Sequence, residues 1–108
     1  MLIIRAEIMF FSPNENSTKN DGICANITLR PAFNFGEGLL FSGTIENDSM
    51  YEKYIYQNVY TVKVEFPTIE DEAYDTIQSL IKVGMNLDIQ NASRIIGRAK
   101  LLDYLYKD

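Results

Sequence analysis

The chain has 108 residues, 46% of them hydrophobic, and a net charge of −5, enough for one domain with its own core and too little for two. An aromatic content of 12% argues against disorder over the whole chain, and the acidic balance disfavours broad contact with nucleic acid or anionic lipid. Histidine is absent and Cys24 is the only cysteine, which excludes histidine-based nucleophile systems, imidazole metal ligands, an internal disulfide and a thiolate zinc cluster.

Residues 2–11 alternate, with Ile4, Ala6, Ile8 and Phe10 on one face and Arg5 and Glu7 on the other, the pattern of a half-buried strand. This apolar opening is too short and too charged for a membrane span and has no basic head of the signal-peptide kind, so a cytoplasmic protein is expected. Residues 12–22 are rich in Asn, Ser and Gly and contain Pro13, which predicts a loop. In residues 23–30 the period of two returns, setting Ile23, Ala25, Ile27 and Leu29 against Cys24, Asn26, Thr28 and Arg30. Cys24 is read as a small buried hydrophobe in this strand. Pro31 cannot donate to a ladder, so the strand must bend or lie at an edge there.

Gly36-Glu37-Gly38 predicts a tight turn into a strand over residues 39–45, followed by a polar connection over residues 46–53. Residues 59–66 alternate cleanly, with Tyr60, Val62, Val64 and Phe66 inward. The period then changes: Ile69, Ala73, Ile77, Leu80 and Ile81 form a helical stripe over residues 68–83. Thr68 with Asp71 reads as a capping pair, Glu70, Asp71 and Glu72 suit the positive end of the dipole, and Lys82 and Gly84 mark the stop. Residues 85–90 read as a strand, 91–93 as a turn and residues 95–102 or beyond as the last strand. The expected fold is a small closed antiparallel six-stranded β-barrel over residues 1–108, a single domain with one inserted helix.

Two segments are distinctive. Leu29-Arg30-Pro31-Ala32-Phe33-Asn34-Phe35-Gly36 and Ser93-Arg94-Ile95-Ile96-Gly97 each read as a strand interrupted by a turn-forming or bulge-forming residue. With Arg5-Ala6-Glu7-Ile8 as an opening strand and residues 87–97 as a closing hairpin, the chain resembles the C-terminal β-barrel domain of elongation factor Tu. Arg30-Pro31-Ala32-Phe33-Asn34-Phe35 is similar to that domain's Arg-Pro-x-Phe-x-Phe run, with Leu29 where the family has tyrosine. The resemblance implies the barrel and a docking role. Four departures stand beside it: the chain has no Gly-x-x-x-x-Gly-Lys-Ser/Thr phosphate loop, no Pro-Gly-Asp turn between Met50 and Val59, an extra helix, and Ala92 and Ser93 where the family favours glycine. Guanosine triphosphate hydrolysis is therefore not implied.

The candidate binding residues are Arg30, Tyr51, Tyr54, Tyr56, Tyr60, Arg94, Arg98 and Lys100. Arg30 and Arg94 sit at the two motif positions and either contact a partner's carboxylate or phosphate or tie their own barrel turns through backbone carbonyls. Arg94, Arg98 and Lys100 share parity and read as a short basic stripe, which is either an RNA-phosphate contact or a solvated outer face. The four tyrosines mark either a protein interface or half-buried rings along a strand. Glu70, Asp71 and Glu72 point in different directions on a helix and do not converge on a metal. The chain is thus expected to be a non-enzymatic binding module whose partner is another protein, with no cofactor, nucleotide, metal or membrane. The alternative is a translation-related protein that binds transfer RNA.

Overall fold

The computed structural model describes residues 1–13 and 21–108; most of the loop expected over residues 12–22 lies outside them. In chain order the elements are β1 (Leu2–Phe10), β2 (Gly22–Cys24), β3 (Ala32–Asn34), β4 (Leu40–Ser42), β5 (Thr44–Glu46), β6 (Lys53–Ile55), β7 (Tyr60–Phe66), α1 (Asp71–Ile77), β8 (Asn86–Asn91) and β9 (Arg94–Tyr106). Seven strands form one antiparallel sheet in the order β4-β3-β8-β9-β1-β7-β5, and β2 pairs with β6 in a separate two-stranded ribbon.

The two ends of the large sheet are β4 and β5, which are separated in the chain by Gly43 alone. β4 pairs with β3 while β5 pairs with β7. The sheet therefore curls round until it is nearly closed, a β-barrel-like architecture. The Gly43 amide donates to the Pro31 carbonyl at 3.0 Å and the Ile45 amide to the Leu29 carbonyl at 2.9 Å, which carries the ladder across the bend. A Cβ on Gly43 would lie 2.6 Å from Val64 Cγ1 and 2.7 Å from the Phe66 ring. Only glycine fits where the strand passes this close to the core.

Alternation places the core as expected in β1 and β7: Leu2, Ile4, Ala6, Ile8 and Phe10 are buried, as are Val62, Val64 and Phe66. Phe33, Phe35 and Phe66 meet edge-to-face at 5.2–5.3 Å between centroids, the arrangement favoured by aromatic quadrupoles. β9 begins at Arg94 and continues past residue 102 to Tyr106, and its register slips twice. Gln90 pairs with Ile95 but Ile89 with Gly97, and Ala6 pairs with Leu101 but Arg5 with Asp103. Ile96 and Leu102 are the extra residues, and such bulges increase the local twist that a curling sheet needs.

Several expectations are corrected. The strand over residues 23–30 stops at Cys24, after which the chain bends; Ile27 is 61% exposed. Cys24 is exposed, because it sits opposite Lys53 on the outer side of the narrow ribbon. The strand over 39–45 is divided at Gly43. The helix covers Asp71–Ile77 rather than 68–83, and its N-cap is Glu70 with no side-chain capping bond, so the Thr68–Asp71 pair does not form. No basic residue lies in its last turn, and Lys82 falls beyond it. The apolar stripe nonetheless goes inward, with Ile69, Ile77 and Ile81 buried, Ile81 being delivered by a turn instead of helix. The helix is clamped to β9: Tyr74 stacks on Tyr106 at 4.0 Å with the rings 9° apart, and the Tyr106 hydroxyl donates to Asp71 Oδ1 at 2.9 Å.

Candidate functional site

The four tyrosines separate into two groups. Tyr51, Tyr54 and Tyr60 pack ring against ring, with centroids 4.8–5.8 Å apart, and Tyr54 also meets Phe10 at 5.9 Å. Tyr54 is 1% exposed. The Tyr60 hydroxyl accepts from the Ile55 amide at 2.9 Å, so this group wedges the β2–β6 ribbon against the barrel. Burial, followed by the neighbouring Tyr51 and Tyr60, pushes the Tyr54 phenol up. Asn47 shapes the loop that carries Tyr51, donating to the carbonyls of Ala25 and Tyr51 and accepting from the Tyr51 amide at 2.7–3.0 Å. Tyr56 stands apart, half-buried in a cleft on another side of the ribbon.

That cleft, of about 590 Å³, is lined by Tyr56, Phe11, Ile95 and Arg94 among others. A second cleft of about 390 Å³ is lined by Phe10, Leu29, Arg30 and Pro31. Ile23, Asn91 and Ile96 line both, so the two clefts adjoin and together make up a recess between the ribbon, the β3 entry and the β8–β9 hairpin. Arg30 and Arg94, about sixty residues apart in the chain, line the two adjoining clefts, Arg30 the smaller and Arg94 the larger. Among the described residues neither guanidinium makes a hydrogen bond or ion pair. The carbonyls flanking Arg30 are already taken by the Gly43 and Ile45 amides, so they do not need the guanidinium, and the turn-tying role is not realised.

Gln90 forms part of the recess wall and was not legible as a site residue. It is 8% exposed; its Oε1 accepts from Asn34 Nδ2 and its Nε2 donates to the Ala92 carbonyl, both at 3.2 Å. The amide thus ties β3 to the β8–β9 turn and fixes the recess from beneath. Its only signal in the sequence is a polar residue following Leu87 and Ile89.

The basic stripe on the last strand is broken. Arg94 pairs with Asn91 and Arg98 with Asp88. Positions three apart on β8 face opposite ways, so the bulge at Ile96 turns Arg94 away from the side that holds Arg98 and Lys100. Arg98 lies opposite Asp88 and Lys100 opposite Glu7, so acidic neighbours offset both. The Arg98 guanidinium sits 5.8 Å from the centroid of the Phe11 ring, within cation–π range.

Elsewhere, Glu46 lies in β5 beside Glu65 of β7. Burial, then a hydrogen bond with the Glu65 carboxyl, raises its pKa. Among the described residues no group of three or more Cys, Asp or Glu side chains is placed to hold a metal ion, and no helix is long and apolar enough to cross a membrane. The recess combines fixed positive charge with apolar walls, a chemistry suited to binding. No family model matches the chain, and no curated protein matches it significantly.

Proposed function

We propose that this chain is a non-catalytic docking module that binds another protein through the recess holding Arg30 and Arg94. The observation that carries the reading is the pair of guanidiniums that have no protein partner among the described residues and line adjoining, largely apolar clefts. A permanently charged, weakly hydrated fork of this kind is well suited to a partner's carboxylate. The module is read as a barrel of the elongation factor Tu C-terminal kind. If residues 40–46 are counted as one strand bent at Gly43, six strands run round the barrel and α1 becomes an insertion. The two segments that carry the resemblance also supply Arg30 and Arg94, so the likeness and the recess coincide on the same residues.

The test is capture from host lysate on the immobilised protein, with and without RNase, using wild type and an Arg30→Ala/Arg94→Ala variant. The expected result is a retained protein that survives RNase and is lost with the double variant. Retention of RNA, with any protein lost on RNase treatment, overturns the proposal in favour of the RNA-binding reading.

A further inference from the structure

Among the described residues each part of the recess is lined by a single formal charge, and in both it is an arginine. Arg30 is the only titratable residue among the described residues lining the smaller cleft, and Arg94 is the only charged one lining the larger. This stands out on a chain of net charge −5: the recess is a positive spot on an acidic protein. The residues common to both clefts are Ile23, Ile96 and the polar Asn91, and Ile95, half exposed, lines the larger.

Resting on the docking reading, we infer that the occupant is an extended peptide segment with an aliphatic centre flanked by acidic residues. The aliphatic side chain enters the 390 Å³ cleft, which lies near the low end of ligand pockets, roughly 300–1,000 Å³, and so admits one or two side chains rather than a helix. Arg30 and Arg94 receive carboxylates on either side of it. A polyanion fits less well. Two guanidiniums neutralise only two phosphates, while the net charge of −5 works against the rest of a nucleic-acid strand. The residues common to both clefts, Ile23, Asn91 and Ile96, offer no aromatic face on which a base could stack, although Phe11 and Tyr56 line the larger cleft.

The probe is a fluorescein-labelled, end-capped peptide of Gly and Ser with a central Leu-Leu and two Asp on each side, read by anisotropy. Saturable binding is expected. It should weaken at least about tenfold in Arg30→Ala or Arg94→Ala, as for loss of a charge-assisted hydrogen bond. It should also fall as NaCl is raised from about 50 to about 300 mM. An Arg30→Glu/Arg94→Glu variant should prefer the same peptide with Lys in place of Asp, a gain that misfolding cannot mimic. Absence of saturable binding, or equal binding of the Asp and Lys peptides to wild type, overturns the inference. Tighter binding of a labelled single-stranded RNA overturns it together with the docking reading. RNase-resistant capture from lysate uses no designed peptide, so the docking reading is judged separately from this choice of ligand.

Discussion

Gly43 and Val64 approach so closely that a single added methyl group on Gly43 would come within 2.6 Å of Val64 Cγ1. The neighbours are core side chains, Phe33 and Phe66 among them, and a packed core resists displacement. Gly43→Ala is therefore expected to destabilise the fold by about 1–3 kcal/mol, the usual range for overpacking. Urea unfolding followed by far-ultraviolet circular dichroism measures it, and an unchanged midpoint would mean that the strand bends elsewhere.

Ala92 offers the opposite change. It occupies the first of the two positions linking β8 to β9 with φ +54°, the sign that a type II′ hairpin turn requires and that glycine adopts without cost. Ala92→Gly is expected to stabilise the protein by about 0.5–1 kcal/mol, since relief of left-handed strain of roughly 1–2 kcal/mol outweighs the added freedom of the unfolded chain. A lower melting temperature would refute this.

Tyr54 carries a hydroxyl with no protein partner among the described residues, inside an otherwise aromatic wedge. An unsatisfied buried donor is costly, so Tyr54→Phe is expected to raise stability by about 1 kcal/mol while preserving the ring packing. A loss of stability would show that the hydroxyl is bonded in solution.

Two groups give opposite ends of the pH profile. Tyr106 is pushed up to about 12, first by burial and then by its hydrogen bond to the Asp71 carboxylate. Its protonated form favours the folded state, so the stability that it contributes is complete below its ordinary value of 10.0 and is lost as pH rises through about 12. Ultraviolet difference titration should show Tyr106 as a late-ionising phenol alongside the buried Tyr54, and Asp71→Asn should bring the Tyr106 step earlier. Glu46, raised above 4.5, has the same sign at acid pH: stability present below 4.5 declines as pH rises through the folded value. Glu46→Gln should flatten that decline in a series of denaturation curves; an unaltered slope would exclude Glu46 as its source.

The parts of the fold that were legible are those where one strand face meets the core and the other meets water. β1 and β7 have that contrast along their whole length, and their alternation maps directly onto burial. Residues 23–30 carry a similar alternation without a ladder to hold it: beyond Cys24 the Ala25 amide turns to the Glu52 carbonyl, and Ile27 is left outside. β6 was hidden because three residues cannot display a period, and Tyr54 is buried by other rings. Arg30 and Arg94 stand out in the sequence as individual residues, but that they line adjoining clefts depends on partner strands and is not visible there. The parity of Arg94 with Arg98 misled for the same reason, since a bulge is a property of the pairing and not of one strand.

β1 lies between β7 and β9, with Leu2 opposite both Phe66 and Tyr106. The centre of the sheet is thus completed by the last strand in the chain. During synthesis, β1 has a vacant hydrogen-bonding edge until β9 has left the ribosome, and the pairing that fills it reaches from Leu2 to Tyr106. Contacts of such long sequence separation slow folding toward the millisecond-to-second range, roughly that of all-β domains. Over that interval the nascent chain presents an apolar, unpaired strand, so its yield in a cell depends on how quickly β9 arrives and on what shields β1 before then.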